Sequence, residues 1–129
     1  MKILFDTNVI ISGFVSQGYS FDVIKDTANK HEVYYTEYLL KETQKNLSTK
    51  FPLSHEAVNS IINTVKKQFI EGKTANTIKK ISRDSKDDQI LADAVTNDID
   101  IIITGDKDLL ELKNYKGIKI IMPKDYWKL

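Results

Sequence analysis

The chain contains no cysteine, which removes disulfides, zinc–thiolate sites and thiol chemistry at once. Arginine is almost missing: Arg83 is the single arginine among 19 basic residues. The others are lysines, so forked, bidentate reading of phosphate is scarce while point-charge binding stays available. Net charge is low as well, formally +1, and no global field marks a polyanion binder. No apolar run is long enough to span a bilayer, and Ile3-Leu4-Phe5 is too short for a signal peptide, so a cytoplasmic protein is expected. Neither a Gly-rich phosphate loop nor a serine in a G-x-S-x-G turn occurs. The two histidines, His31 and His55, have no metal-ligand spacing and read as surface residues.

What remains is an ordinary globular composition, 29% charged and 41% hydrophobic over 129 residues, which suits one domain spanning 1–129. Ile3-Leu4-Phe5 reads as a buried strand ended by Asp6-Thr7-Asn8. A helical stretch follows near Val9 to Val15, Gly18 breaks it, and helical spacing resumes from Phe21 to Lys30. Glu32 to Thr36 reads as a second strand. Thr36 then caps a helix with Leu39, Leu40, Thr43 and Leu47 on one face. Ser54 opens a helix striped by Val58, Ile61, Ile62, Val65 and Phe69, with Gly72 as its stop.

Thr77 to Ile81 is expected to form a short peripheral strand. Ser85 to Asn97 is a helix with Ile90, Leu91, Ala94 and Val95 facing inward. Ile99 to Thr104 holds three consecutive isoleucines, as in a strand covered on both faces. Gly105-Asp106 turns into a short helix at Leu109-Leu110, and Ile118 to Met122 is a last strand closed by Pro123. Strands alternate with helices, which predicts an α/β fold with a mainly parallel central sheet of about five strands flanked by helices.

Four acids, Asp6, Glu42, Asp87 and Asp106, sit where separate segments run into a turn or along a helix. Open parallel sheets gather such positions outside the carboxyl ends of their strands. Gathered carboxylates repel: a pair ~4 Å apart at an effective dielectric of ~20 costs about 4 kcal/mol. A divalent cation or raised pKa values must compensate. Asp6 and Asp106 also suit turn or cap positions. On a helix with ~100° per residue, Asp87 falls in the stripe of Ile90, Leu91 and Ala94, where a carboxylate is costly unless paired or bound to a metal. Asp88 points away and completes a Ser85-Lys86-Asp87-Asp88 capping box. Glu42 lies on the flank of its helix's apolar face, beside Leu39 and Asn46, whereas Glu37 points nearly opposite that face. Lys66-Lys67 and Lys79-Lys80 read as solvated pairs, and Tyr34, Tyr35 and Tyr38 as core packing.

These segments resemble the motifs of PIN-domain nucleases. Asp6-Thr7-Asn8 after an opening strand resembles the first motif, Thr36 through Glu42 the second, Asp84 through Ala92 the third, and Thr104 through Leu110 the fourth. The order and spacing hold over essentially the whole chain. The resemblance is nearest to VapC-type toxins of toxin–antitoxin pairs. It implies a Rossmann-like sheet, Mg²⁺ or Mn²⁺ at the acidic cluster, endoribonuclease activity on an RNA substrate, frequent homodimers and a small antitoxin partner. Asp6 would then be the central ligand, with Asp87 and Asp106 completing direct or water-mediated binding. Glu42 would hold a second ion or orient the attacking water, and Asn8, Thr104 and Asp108 would support them. One departure is Ser85, where relatives often carry proline. Two other readings compete: a PIN scaffold that binds RNA or a partner without cutting, and a receiver-like signalling domain. The second lacks the acidic neighbour that such a domain needs beside Asp6, and leaves Glu42 without a role.

Overall fold

The computed structural model describes residues 1–81 and 84–129; Arg83 lies outside the described residues. Strand β1 (Lys2–Phe5) runs into helices α1 (Thr7–Ser16) and α2 (Tyr19–Lys30), then strand β2 (Glu32–Tyr35). Helices α3 (Glu37–Lys50) and α4 (His55–Gln68) follow, then β3 (Ile70–Glu71), helix α5 (Ser85–Thr96) and β4 (Ile101–Ile103). Helix α6 (Lys107–Leu112), the hairpin β5 (Asn114–Tyr115) and β6 (Ile118–Ile121), and a closing 3₁₀ turn (Pro123–Lys128) complete the chain.

The sheet has six strands in the order β3-β2-β1-β4-β6-β5. Every pairing is parallel except β5 with β6. The expected α/β architecture is therefore present, with one strand more than anticipated. β1 lies between β2 and β4, so the connections leave it in opposite directions. That is a topological switch point, where the loops after two neighbouring strands part and leave a crevice. Backbone bonds from Asp6 N to Ile103 O (2.9 Å) and Thr104 N to Ile121 O (2.9 Å) hold the strand ends level at this point.

The isoleucine run behaves as a doubly covered strand must. Ile101 and Ile103 face Phe5, Val9, Val23, Ile24 and Phe69 on one side of the sheet, while Ile102 faces Leu39, Ile90, Leu91 and Leu109 on the other. All three isoleucines are buried, each contributing roughly 1.5–3 kcal/mol by leaving water. Leu47 of α3 leaves the second layer and packs with Ile11, Val58 and Ile62 at the sheet's side. Gly13 permits the close approach of α1 and α2, since a Cβ there would stand 2.5 Å from Ile24 Cδ1.

Two expectations about this region are corrected. Thr77 to Ile81 is not a strand; the edge position is taken by Ile70–Glu71, paired with Tyr34 and Tyr35. The reason is that residues 73–81 are tied to polar side chains of α5 and of Asn97 at its end instead of to a sheet edge. Asn97 accepts from Lys73 N (2.8 Å) and donates to Lys73 O (2.8 Å), Asp93 accepts from Ala75 N (2.8 Å), and Asp88 accepts from Ile81 N (2.9 Å). Gly72 is needed for this strap, because a Cβ there would lie 2.6 Å from Asn97 Oδ1. Val95 does not face inward: it is 38% exposed, while Ile90, Leu91 and Ala94 are buried as expected.

Candidate metal centre

The crevice at the switch point has a volume of about 240 Å³, and Asp6, Glu42, Asp87 and Asp106 all line it. Four elements bring them there: the end of β1, the middle of α3, the first turn of α5, and the turn after β4. Asp87 is buried, as its place on the apolar stripe of α5 required, and Glu42 is four-fifths covered while Glu37 is exposed in an ion pair with Lys41. No helix among the described residues is long and apolar enough to cross a membrane.

Asp6 stands at the N-cap position of α1, yet its side chain makes no capping bond. Its Oδ2 accepts from Thr104 Oγ1 at 2.7 Å. Burial pushes the Asp6 carboxyl above its ordinary range; the Thr104 hydrogen bond opposes this, and the neighbouring Asp106 charge adds to it. Asp106 does cap α6, accepting from Leu109 N at 3.1 Å, while its own N–H donates to Thr104 Oγ1 at 3.0 Å. The buried Thr104 hydroxyl thus links the two acids. Tyr38 has its phenol pushed up by burial, with the Glu42 carboxylate as the next cause.

Among the described residues, one group of acids brings its oxygens close enough to share an ion: Asp87, Asp106 and Asp108 each offer an oxygen, all within 4.8 Å of one another. Two unit charges at that distance repel by about 3 kcal/mol at an effective dielectric of ~20, so a bound cation relieves a real cost. The donors are hard oxygens with no histidine or cysteine among them, which suits Mg²⁺ or Mn²⁺ and disfavours softer metals. Asp6 and Glu42 line the crevice outside this trio. Asp108, expected as a supporting group, is inside it.

Several crevice residues besides the four acids escaped the sequence reading. Tyr38, Asn46 and Lys50 stand at four-residue steps from Glu42 and line the crevice with it along α3; that spacing was a usable signal. Tyr38 packs against the core as expected and also stands at the crevice wall. Lys86 also lines it, and its Nζ is 3.5 Å from Glu42 Oε2. The capping box is corrected too: Asp84 is the N-cap of α5, accepting from Lys86 N at 2.9 Å. Asp88 is a structural acid as expected, but it is buried and holds the strap at Ile81 N. Asp93, which drew no notice, is fully buried and accepts from Thr36 Oγ1 (2.7 Å), Gln89 Nε2 (2.7 Å) and Ala75 N (2.8 Å). It ties α5 to the N-cap of α3, the helix that carries Glu42.

Comparison with known proteins agrees with this architecture. The family profile described as PIN domain matches residues 2–108. A chain of the crystal structure of VapBC2 from Rickettsia felis, bound to a DNA fragment from their promoter, is similar with a TM-score of 0.71. The match covers 93% of this chain and 97% of that one at 13% identity, which establishes likeness of fold. No curated protein matches the sequence.

Proposed function

The chain belongs to the PIN-domain family, and from that premise we propose that it is a divalent-cation-dependent endoribonuclease, the toxin of a toxin–antitoxin pair. The observation that carries the proposal is the convergence of acids from four elements on one crevice, two of which, Asp87 and Asp106, have oxygens within 4.8 Å of one another and of Asp108. The resemblance of all four motifs to VapC-type toxins supports the toxin reading, as does the likeness of fold to VapBC2. The partners that follow are an RNA substrate, an antitoxin and a second copy of the chain.

In this reading Asp87, Asp106 and Asp108 hold a Mg²⁺ or Mn²⁺ ion, with Asp6 as a further ligand, direct or through water. A bound ion would lower the pKa of water and offset charge on the scissile phosphate. Asp6 is aimed by the Thr104 hydroxyl, which favours its ionised form against the effect of burial. Thr104 also fixes the backbone of Asp106 and so sets the spacing between these two acids. Glu42, also lining the crevice, would orient the attacking water and accept its proton. Lys50 and Lys86 at the crevice meet phosphate as point charges.

The test compares wild type and Asp6→Asn on mixed RNA with Mn²⁺, Mg²⁺ or EDTA. Cleavage requires metal in the wild type and is lost in the variant. Because burial raises the Asp6 pKa, its ionised form costs stability above that pKa. The Asn variant removes that cost and is expected to stay folded at neutral pH, which its melting curve checks, so that inactivity can be told from unfolding. RNA cleavage by Asp6→Asn at the wild-type rate would refute the assignment.

A further inference from the structure

Asn46 is a buried amide with nothing inside the fold to bind. It is 8% exposed and stands on α3 one turn beyond Glu42 and one turn before Lys50. All three line the crevice. Other buried polar side chains are satisfied internally: Thr27, Thr36, Thr43, Gln89, Asp93 and Thr104 each have a hydrogen-bond partner. Among the described residues the Asn46 amide has none. No fully enclosed polar side-chain atom among them is left unpaired, so the amide keeps its open side in the crevice that it lines. Burying an amide without a partner costs folding stability, and a ligand that supplies the missing bonds recovers it.

The chemistry of the site leaves a role for such a group. Hydrolysis by a metal-activated water uses the phosphate and the ion, and asks nothing of the ribose 2′ position. Metal and acids alone would therefore cut DNA and RNA alike. A 2′-hydroxyl is both donor and acceptor, and it is what lets a protein tell RNA from DNA. An asparagine amide is its counterpart, with one acceptor oxygen and two donor hydrogens on adjacent atoms. Asn46 lies roughly 6 Å along the helix from Glu42 and from Lys50. Glu42 is assigned to the attacking water and Lys50 to phosphate, so the interval between them belongs to the sugar–phosphate backbone and not to a base edge.

We infer that Asn46 reads the 2′-hydroxyl of a nucleotide beside the scissile phosphate, and so selects RNA over DNA. The inference rests on the endoribonuclease reading and adds to it a residue that sets the substrate class.

The experiment uses the full chain with Mn²⁺ and a short RNA whose cleavage position has been mapped. The nucleotide on each side of that position is replaced in turn by its 2′-deoxy and 2′-fluoro forms; the fluoro form keeps an RNA-like sugar but has no donor. In wild type, one of the two positions loses about tenfold in kcat/KM on 2′-deoxy substitution, the scale of one buried hydrogen bond. Asn46→Leu and Asn46→Ala lose about tenfold on the all-RNA strand and nothing further on the 2′-deoxy strand. Neither variant gives up an internal hydrogen bond, so both are expected to fold, which melting curves check; the alanine covers the case in which leucine crowds the wall. The full 2′-deoxy penalty persisting in both variants would overturn the inference, as would a wild type indifferent to 2′-deoxy at both positions. A penalty that follows the base and vanishes in the variants would overturn it in favour of a base edge. Each of these leaves the nuclease standing. No metal-dependent cleavage by wild type would refute the nuclease reading, and this inference with it.

Discussion

Asp93 offers the sharpest test of how the crevice is held. It is fully buried, and three donors converge on its carboxylate: Thr36 Oγ1, Gln89 Nε2 and Ala75 N, all at 2.7–2.8 Å. Asp93→Ala removes the acceptor and strands all three. An unsatisfied buried donor costs about 1–3 kcal/mol. Partial relaxation toward water leaves an expected loss of about 3–5 kcal/mol. With a urea slope near 2 kcal/mol/M, the midpoint falls by roughly 2 M.

Asp93→Asn separates lost hydrogen bonding from lost shape. Its carbonyl oxygen can keep Ala75 N and Gln89 Nε2, which both use Oδ1. Its amide then faces Thr36, whose hydroxyl turns to accept instead of donate. The expected loss is about 1 kcal/mol. The assay is equilibrium urea unfolding, read by midpoint at constant slope, with hydrogen exchange at Leu39 and Ala75. In the Ala variant both amides exchange faster, because the cap of α3 and the strap lose their common anchor. A loss below about 1 kcal/mol for Asp93→Ala, or equal losses for Ala and Asn, would refute the argument.

Two further outcomes follow from the hydrogen-bond network. Thr104→Val removes the bond that draws Asp6 down and the acceptor of Asp106 N. The Asp6 pKa then rises further, and protons compete with the cation more strongly. Titrations with Mn²⁺ at successively lower pH should show the variant losing affinity at a higher pH than wild type. Tyr126→Phe removes the 2.6 Å bond to Asp26 Oδ2, the largest influence holding that carboxyl below its ordinary value of 3.8. A lowered carboxylate pKa contributes stability that is present above the unfolded value and lost as pH falls through the folded one. Thermal melts should therefore separate wild type from variant at neutral pH and converge below pH 3.8.

Much of this protein was determined by local pattern alone. Ile101, Ile102 and Ile103 announce a strand covered on both faces, and the ends of β1 and β4 announce a crevice beside them. Helical phase picked Asp87 over Asp88 for the crevice, and Glu42 over Glu37, because a side chain's direction on a helix follows from its index. Motif order was enough to point to the family. Pattern failed where two local solutions were equally good. Thr77 to Ile81 has strand-like residues, but Asn97, Asp93 and Asp88 capture the backbone around it, and the unremarkable pair Ile70–Glu71 takes the edge. Asp106 could cap or coordinate on sequence grounds; the fold shows it capping α6 and also standing in the trio with Asp87 and Asp108.

Only the tertiary structure decided which polar groups satisfy one another. Asp93 meets Thr36 across 57 residues, Thr104 meets Asp6 across 98, and Lys86 reaches Glu42 from another helix. Apolar burial is read from sequence because it has a period and needs no particular partner. A hydrogen bond or ion pair is directional and short, so its partner is fixed only once the backbone has closed around it.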